Sequence, residues 1–360
     1  MSFIKTFKNK KIIITGHTGF KGSWLTAFLS TFDCKIFGLS KDIPTNPSHF
    51  KLLKLNNKIQ NYEIDIRDSK ALKKIIKKIK PDFVFHLAAQ SLVKTSYEQP
   101  ALTFTTNSIG TLNILETIRL INRKCKVILV TSDKSYKNLE IRRGYKETDL
   151  IGGEDPYSAS KGCAELIIHS YIKSFYNDKK IQVAVGRAGN VIGGGDWSKD
   201  RLIPDCFRSW SKKNAPLIRH PNSTRPWQHV IEVVYGYILL AKKLDENPKL
   251  HGQVFNFGPS YKKNYKVKEI LIYFKSLWSL CRWKMIKNKT NQKETVLLKL
   301  NSSKAFKILK WKTILGFHET LVYTLEWYKE YDLNSLTDEK LFFDLNEYIE
   351  IYSNIIEDPN

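Results

Sequence analysis

Gly16, Gly19 and Gly22 stand three apart, directly between a β-branched run, Lys11 to Thr15, and a helix-forming run from Ser23 to Phe32. Strand, glycine turn and helix in that order constrain the chain more than any other feature. Glycines let the turn close tightly and let the backbone approach a bound group. Lys35 to Leu39 reads as the next strand. The opening is therefore a βαβ unit, which commits the chain to a parallel sheet with right-handed crossovers.

The alternation continues. A helix is expected over Ser69 to Ile79 with Asp68 or Ser69 as its cap, a strand over Asp82 to Leu87, and a helix from about Asn107 to Ile121. A strand follows over Lys126 to Thr131, a long helix over Tyr157 to Tyr176, and a strand over Gln182 to Arg187. The fold class is α/β, a Rossmann-type doubly wound parallel sheet. After Gly189 the rhythm changes to glycines, prolines and short segments. This predicts a dinucleotide-binding domain over 1–188 with a return at about 225–258. A smaller, mixed C-terminal domain over 189–224 and 259–360 is expected to hold the substrate.

The length of 360 residues suits two such units. No uncharged apolar run of about 18 residues occurs, so no spanning helix and no membrane partner are expected. The basic N-terminus lacks the apolar stretch of a signal peptide. The five cysteines form no C-x-x-C pair, which fits free thiols in a reducing cytoplasm. The histidines show no metal-ligand spacing, so no metal is expected. The net charge of +24 invites nucleic acid as a partner. The lysines spread along the whole chain, however, and Lys73, Lys74, Lys77 and Lys78 form the solvated face of an amphipathic helix. No nucleic acid is expected; the charge suits an anionic small substrate.

The turn Gly16 to Gly22, with Phe20 opening the helix, is a site for a dinucleotide pyrophosphate at a helix N-terminus. Asp42 lies off the usual place for a ribose-binding acid and Lys41 could attract a 2′-phosphate, so NAD is favoured over NADP without being fixed. Asp65, followed by Ile66, either accepts from the adenine amino group or serves as a helix-start carboxylate. Leu87, Ala88 and Ala89 end a strand with small residues, which either admit the cofactor closely or simply pack closely.

Tyr157 and Lys161 share a helix face at i, i+4. A phenol with a pKa of about 10 needs roughly 4 kcal/mol of differential stabilisation to reach neutrality, and an ammonium beside it contributes to that. Ser132, Asp133 and Lys134 follow an apolar strand whose carboxyl end faces the cleft. An acid and a base side by side there are what expulsion of a hydroxyl as water requires, and Ser132 can hydrogen-bond a sugar hydroxyl.

With these residues in place, the chain resembles the extended short-chain dehydrogenase/reductase family in its nucleotide-sugar dehydratase branch, from about Lys11 to Pro259. The most specific stretches are Gly16-His17-Thr18-Gly19-Phe20-Lys21-Gly22-Ser23-Trp24-Leu25, Thr131-Ser132-Asp133-Lys134 and Gly189-Asn190-Val191-Ile192-Gly193-Gly194-Gly195-Asp196-Trp197. Arg201-Leu202-Ile203-Pro204-Asp205 and Arg225-Pro226-Trp227-Gln228-His229-Val230 complete the set. Enzymes of dTDP-glucose in that branch carry Thr-Asp-Glu where this chain has Ser132-Asp133-Lys134, which points to CDP-glucose as substrate.

The resemblance implies a tightly held NAD, with Tyr157 taking the 4-hydroxyl proton, Lys161 tuning Tyr157, and Asp133 protonating the departing 6-hydroxyl. Lys134 is either a neutral base at C5 or a cation that stabilises an enolate. Asn190, Arg225, Arg201 and Arg219 are the candidates to bind the substrate diphosphate. A homodimer through the helices around 107–121 and 157–176 is also implied. Two rivals follow: a dehydratase or epimerase of a dTDP-, UDP- or GDP-sugar, and a non-catalytic NAD-bound module that holds RNA. Turnover of panels of nucleotide sugars separates the first, and salt-sensitive RNA binding without water loss identifies the second.

Overall fold

A computed structural model describes residues 2–178, 180–260, 263, 265–285, 298–334, 347, 348, 350 and 351. In chain order its first half runs α1 (Ser2–Phe7), β1 (Lys11–Thr15), α2 (Phe20–Leu29), β2 (Lys35–Ser40), α3 (His49–Leu52), β3 (Gln60–Glu63), α4 (Ser69–Ile79), β4 (Phe83–His86), α5 (Val93–Glu98), α6 (Pro100–Phe104), α7 (Gly110–Ile121) and β5 (Cys125–Ser132). Next come α8 (Pro156–Phe175), β6 (Ile181–Ala188), β7 (Val191–Ile192), α9 (Leu202–Trp210), β8 (Leu217–Ile218), β9 (Gln228–His229), α10 (Val230–Glu246), β10 (Val254–Phe257), α11 (Val267–Leu277), β11 (Lys284–Met285) and α12 (Phe317–Asp332).

The main sheet has the order β10-β6-β5-β4-β1-β2-β3, and every neighbouring pair in it is parallel. The order reverses between β1 and β4. In an open parallel sheet the crevice at the carboxyl ends of those two strands is where ligands bind. The glycine turn follows β1, and Leu87 to Ala89 follow β4, so both line that crevice.

Burial explains the strand composition. Ile12, Ile13, Ile14, Val84, Phe85, Val127, Ile128 and Leu129 are fully buried, because helices cover both faces of the sheet. On one face Leu72, Ile75, Ile76 and Ile79 of α4 join Ile114, Leu115 and Ile118 of α7 and Ile168 of α8. On the other, α2 and α10 form a larger core, continuous with Trp210 of α9, Phe274 of α11 and Leu325 of α12. Burial of an apolar side chain stabilises by roughly 1.5–3 kcal/mol, so α10, almost wholly buried, anchors the later segments to the sheet.

Three differences from the sequence reading have physical causes. The first long helix begins at Phe20 rather than Ser23, because extended Gly19 ends the turn and its carbonyl already accepts from Ser23 N at 2.8 Å. The helix expected from Asn107 is preceded by α5 and α6 and by a π-helical turn over Thr105–Ile109. The basic N-terminus folds as α1, whose Phe7 is wedged between Phe32 and Phe83. The cap of α4 is Asp68, which accepts from Lys70 N and Ala71 N. The five cysteines are unpaired. Among the described residues no helix is long and apolar enough to cross a membrane, and no cluster of potential metal ligands occurs.

Candidate active site

The glycine turn is shaped by contact with its own backbone and with β4. Gly16 has φ +73°, and a Cβ there would lie 2.7 Å from Ala88 Cα. A Cβ on Gly22 would lie 2.0 Å from the Gly16 carbonyl oxygen. No side chain caps α2, so the N–H groups of its first turn face the crevice without a capping partner. Free donors and the positive end of a helix dipole suit a pyrophosphate. Gly22→Ala is expected to destabilise the fold by about 3 kcal/mol or more, because backbone rather than a flexible side chain must move. A lowered Tm and loss of dinucleotide binding in calorimetry check this.

Around the crevice, Asp65 lies just after β3, where Arg67 grips its carboxylate at 2.6–3.1 Å and holds its pKa below the usual carboxylate range. That grip, with Asp68 as the cap, leaves Asp65 outside the start of α4. Ile66 is buried against Gly110 of α7. Lys41 pairs with Asp42 at 3.4 Å on the exposed end of β2. Ala88 N donates to Thr15 Oγ1 at 3.2 Å.

A buried polar chain ties this edge to α7. Thr111 Oγ1 donates to Asn107 O at 2.7 Å, so it accepts from His86 Nε2 at 3.1 Å. His86 Nδ1 then accepts from Thr15 Oγ1 at 2.7 Å. Burial pushes His86 down to about 3, which keeps it neutral. Asn107 donates to Gln90 O at 3.0 Å and to Ser160 Oγ at 2.8 Å, binding the π turn to α8. Sequence reading missed Asn107; a helix interrupted near a strand end gives no periodic signal. The π turn itself, a feature enriched at functional sites, is visible only in the backbone.

Asp155 caps α8 by accepting from Ser158 N at 3.0 Å, and Pro156 occupies the first helical position. The helix carries Tyr157 and Lys161, both 7% exposed, against the end of β5. Ser132 Oγ donates to Asp133 Oδ1 at 2.9 Å and lies beside the Tyr157 phenol. Burial pushes the Tyr157 phenol up to about 12; the neighbouring Ser132 hydroxyl and the Arg201 cation pull it down, while Asp133 pushes it up. Burial lowers the Lys161 amine to about 8.

Asp133 is 1% exposed and its carboxyl pKa is raised, chiefly by burial, against the pull of Lys134, Ser132, Lys21 and Arg225. Its Oδ2 has no hydrogen-bond partner among the described residues. A buried carboxyl oxygen left without a partner is what a substrate hydroxyl would satisfy. Gly189 leaves that oxygen room, since a Cβ there would lie only 3.3 Å from it.

The structure thus brings together Ser132, Asp133, Lys134, Tyr157, Lys161, Arg201 and Arg225. Arg201 enters already engaged, to Asp196 at 2.9 Å and Ser91 at 3.2 Å. Asn190 sits half-buried between β6 and β7. Arg219 stays apart: it is exposed after β8, with no hydrogen bond or ion pair to the cluster among the described residues. Lys21, in the first turn of α2, was not singled out as a site residue. Burial lowers its amine to about 8, and Arg201, Asp133, Lys161 and Asp196 all act on it, so it belongs to the same cluster.

Residues 13–324 match the family described as GDP-mannose 4,6 dehydratase. A CDP-glucose 4,6-dehydratase of Salmonella typhimurium is 42% identical over 90% of this chain and 91% of the relative. A CDP-paratose 2-epimerase of Salmonella typhi is 27% identical over 75% of this chain and 84% of that protein. Among solved structures, UDP-glucuronic acid 4-epimerase from Bacillus cereus, in complex with UDP-glucuronic acid and NAD, superposes with a TM-score of 0.77 at 23% identity. That likeness covers 89% of this chain and 99% of that one, and it is a likeness of fold. With the parallel sheet, the glycine turn at its switch point and the Tyr157–Ser132–Asp133 cluster, these matches place the chain in the GDP-mannose 4,6 dehydratase family, within the extended short-chain dehydrogenases/reductases.

Proposed function

We propose that this chain is a CDP-glucose 4,6-dehydratase, a lyase that converts CDP-glucose to CDP-4-keto-6-deoxyglucose and water with a bound NAD. The observation that carries the reading is Asp133, a buried acid with one unsatisfied oxygen, bonded to Ser132 beside the Tyr157 phenol. The 42% identical relative of that activity supports the choice of CDP-glucose.

Gly16, Gly19, Phe20 and Gly22 hold the cofactor pyrophosphate, Asp65 and Ile66 the adenine end, and Leu87, Ala88 and Ala89 the middle. Lys41, shared with Asp42, is not presented alone to a 2′-phosphate, which favours NAD over NADP. A bound NAD would supply the acceptor for the hydride from the sugar C4 and the donor of that hydride to C6. Tyr157 takes the proton of the 4-hydroxyl, Ser132 holds that hydroxyl, and Lys161 and Arg201 supply positive charge around the phenol. The ketone at C4 acidifies the C5 proton. Lys134 takes that proton and, as the cation so formed, stabilises the enolate; Asp133 protonates the 6-hydroxyl, which leaves as water, and Lys134 returns its proton to C5 as C6 regains the hydride. Arg225 and Asn190 bind the diphosphate. Asn190 belongs to a second lobe, 189–224 and 259–360, and Arg225 opens the segment 225–258 that returns to the sheet.

The enzyme works as a cytoplasmic homodimer. Exposed apolar residues on α8 and beside α7, with Ile109 at 44%, Leu166 at 64% and Phe175 at 51% exposure, suit pairing of those helices. Its product feeds deoxysugar synthesis for lipopolysaccharide O-antigen.

The test is incubation of pure protein with CDP-glucose deuterated at C4, with no cofactor added. Product with the label in its methyl group is expected. Inert CDP-glucose beside turnover of a dTDP-, UDP- or GDP-sugar would overturn the substrate, and label lost to solvent would overturn the internal hydride return.

A further inference from the structure

Helix α8 carries Glu165 one turn beyond Lys161, and the Glu165 side chain is buried at 5% exposure. Its Oε1 accepts from Arg187 Nε at 2.8 Å and from Thr131 Oγ1 at 2.5 Å. Its Oε2 accepts from Arg187 Nη2 at 3.0 Å. Two strands are thereby pinned to the helix: β6 through Arg187, and β5 through the residue immediately before Ser132. Arg187 also donates to the Tyr136 hydroxyl at 2.7 Å and lies over that ring at 4.6 Å. The Tyr136 hydroxyl donates to Asn256 Oδ1 of β10 at 2.8 Å.

A buried ion pair is weak evidence for stability, because desolvation offsets most of its attraction. Apolar side chains would fill the same gap between one helix and two strands. They would not place a negative charge one turn from Lys161.

We propose that Glu165 is a positioning residue for the reaction: braced by Arg187 and Thr131, its carboxylate sets a fixed negative charge one helical turn from the Lys161 ammonium and keeps α8 in register with the end of β5 that carries Ser132 and Asp133. The proposal rests on the functional reading above.

The charges around Lys161 fit it. Burial lowers the Lys161 amine, and Glu165 opposes that fall. From β4, Lys161 faces His86, held neutral by burial and by the ammonium itself; from α2 it faces Lys21, a second cation. Around Glu165 stand Arg187 and Tyr136, with Glu147 and Lys304 beyond Arg187. The useful form of Lys161 is the cation, present below its pKa and lost as pH rises through it. Removing the Glu165 charge lowers that pKa further, so the loss comes at lower pH.

Glu165→Gln is expected to lower kcat about tenfold at mildly alkaline pH while KM for CDP-glucose changes less than about twofold. The Lys161 titration midpoint should move to lower pH by on the order of one unit. Glu165→Asp should restore part of both. Because Glu165→Gln leaves Arg187 buried and unpaired, the double variant Glu165→Gln/Arg187→Met is measured beside it. Removing Arg187 as well takes away the cation that partly offsets the Glu165 carboxylate, so a smaller shift in the same direction is expected there.

The second readout needs no substrate: carbon-13 NMR titration of ε-labelled lysine, with Lys161 assigned through Lys161→Arg. A midpoint moved acidward in both variants supports the proposal. A midpoint equal to wild type in the double variant overturns it, whatever CDP-glucose does. CDP-glucose inert with the wild-type protein overturns the functional reading alone.

Discussion

Tyr157→Phe is expected to lower turnover of CDP-glucose by about a thousandfold, with no reduced nicotinamide appearing after rapid mixing. The substitution removes one oxygen and leaves the buried ring in place. Ser132 keeps its bond to Asp133, so the cost in stability should be about 1 kcal/mol at most. A thermal melt separates that small effect from the large kinetic one. The size of the kinetic effect follows from where the phenol sits. Burial raises it to about 12, and a base poised near neutrality must recover about five units, or about 7 kcal/mol. Lys161, Arg201 and the cofactor's positive ring have to supply that difference. Asp133 works against it while ionised, since its charge pushes the phenol up. A protonated Asp133 lifts that opposition, so the acid of the second step also assists the base of the first. Turnover of the Phe variant near the wild-type rate would remove Tyr157 from the chemistry.

The parts of this site that were legible in the sequence are those fixed by local backbone rules. The glycine turn announces itself because Gly16 takes φ +73° hard against Ala88 and Gly22 packs on Gly16, places where a Cβ would strike backbone. Tyr157 and Lys161 are legible because helical spacing puts them on one face. Ser132 to Lys134 are legible because the apolar run of β5 gives way there to polar residues at its carboxyl end. What could not be read depends on contacts between distant segments. Asn107 matters through Gln90 and Ser160 on other elements. Glu165 is an ordinary helical carboxylate until β5 and β6 are laid against it. Trp24, recognised only as part of a motif, donates from Nε1 to Gly194 O at 3.0 Å and stacks on His49 at 4.8 Å, joining the glycine-rich loop to α2. Helix α1 was invisible because six residues of mixed composition carry no reliable period; the pocket formed by Phe32 and Phe83 decides its fold. Arg219 lies on an exposed segment after β8, away from the cluster around Asp133.

Asp133→Asn should separate the two halves of the reaction, slowing loss of water by about a hundredfold or more while oxidation slows by less than about tenfold. Reduced nicotinamide should therefore accumulate after mixing with CDP-glucose, where the wild type shows little. The amide keeps the shape and can still accept from Ser132, but it has no proton to give to a departing hydroxyl. It is also uncharged, so it does not oppose ionisation of Tyr157. The pH dependence gives a second check. Asp133 acts as an acid, so its active form exists below its pKa and is lost as pH rises through it. Burial raises that pKa, and the cations Lys134, Lys21 and Arg225 pull against the rise. When the substrate diphosphate engages Arg225, part of that pull is neutralised and the carboxyl holds its proton to higher pH. The alkaline limb of kcat, which reports the complex, should then lie above that of kcat/KM, which reports the free enzyme. The gap should shrink in Arg225→Gln. Equal slowing of oxidation and water loss in Asp133→Asn, or coincident limbs in the wild type, would take the acid's role away from Asp133 and give it to another group in the cleft.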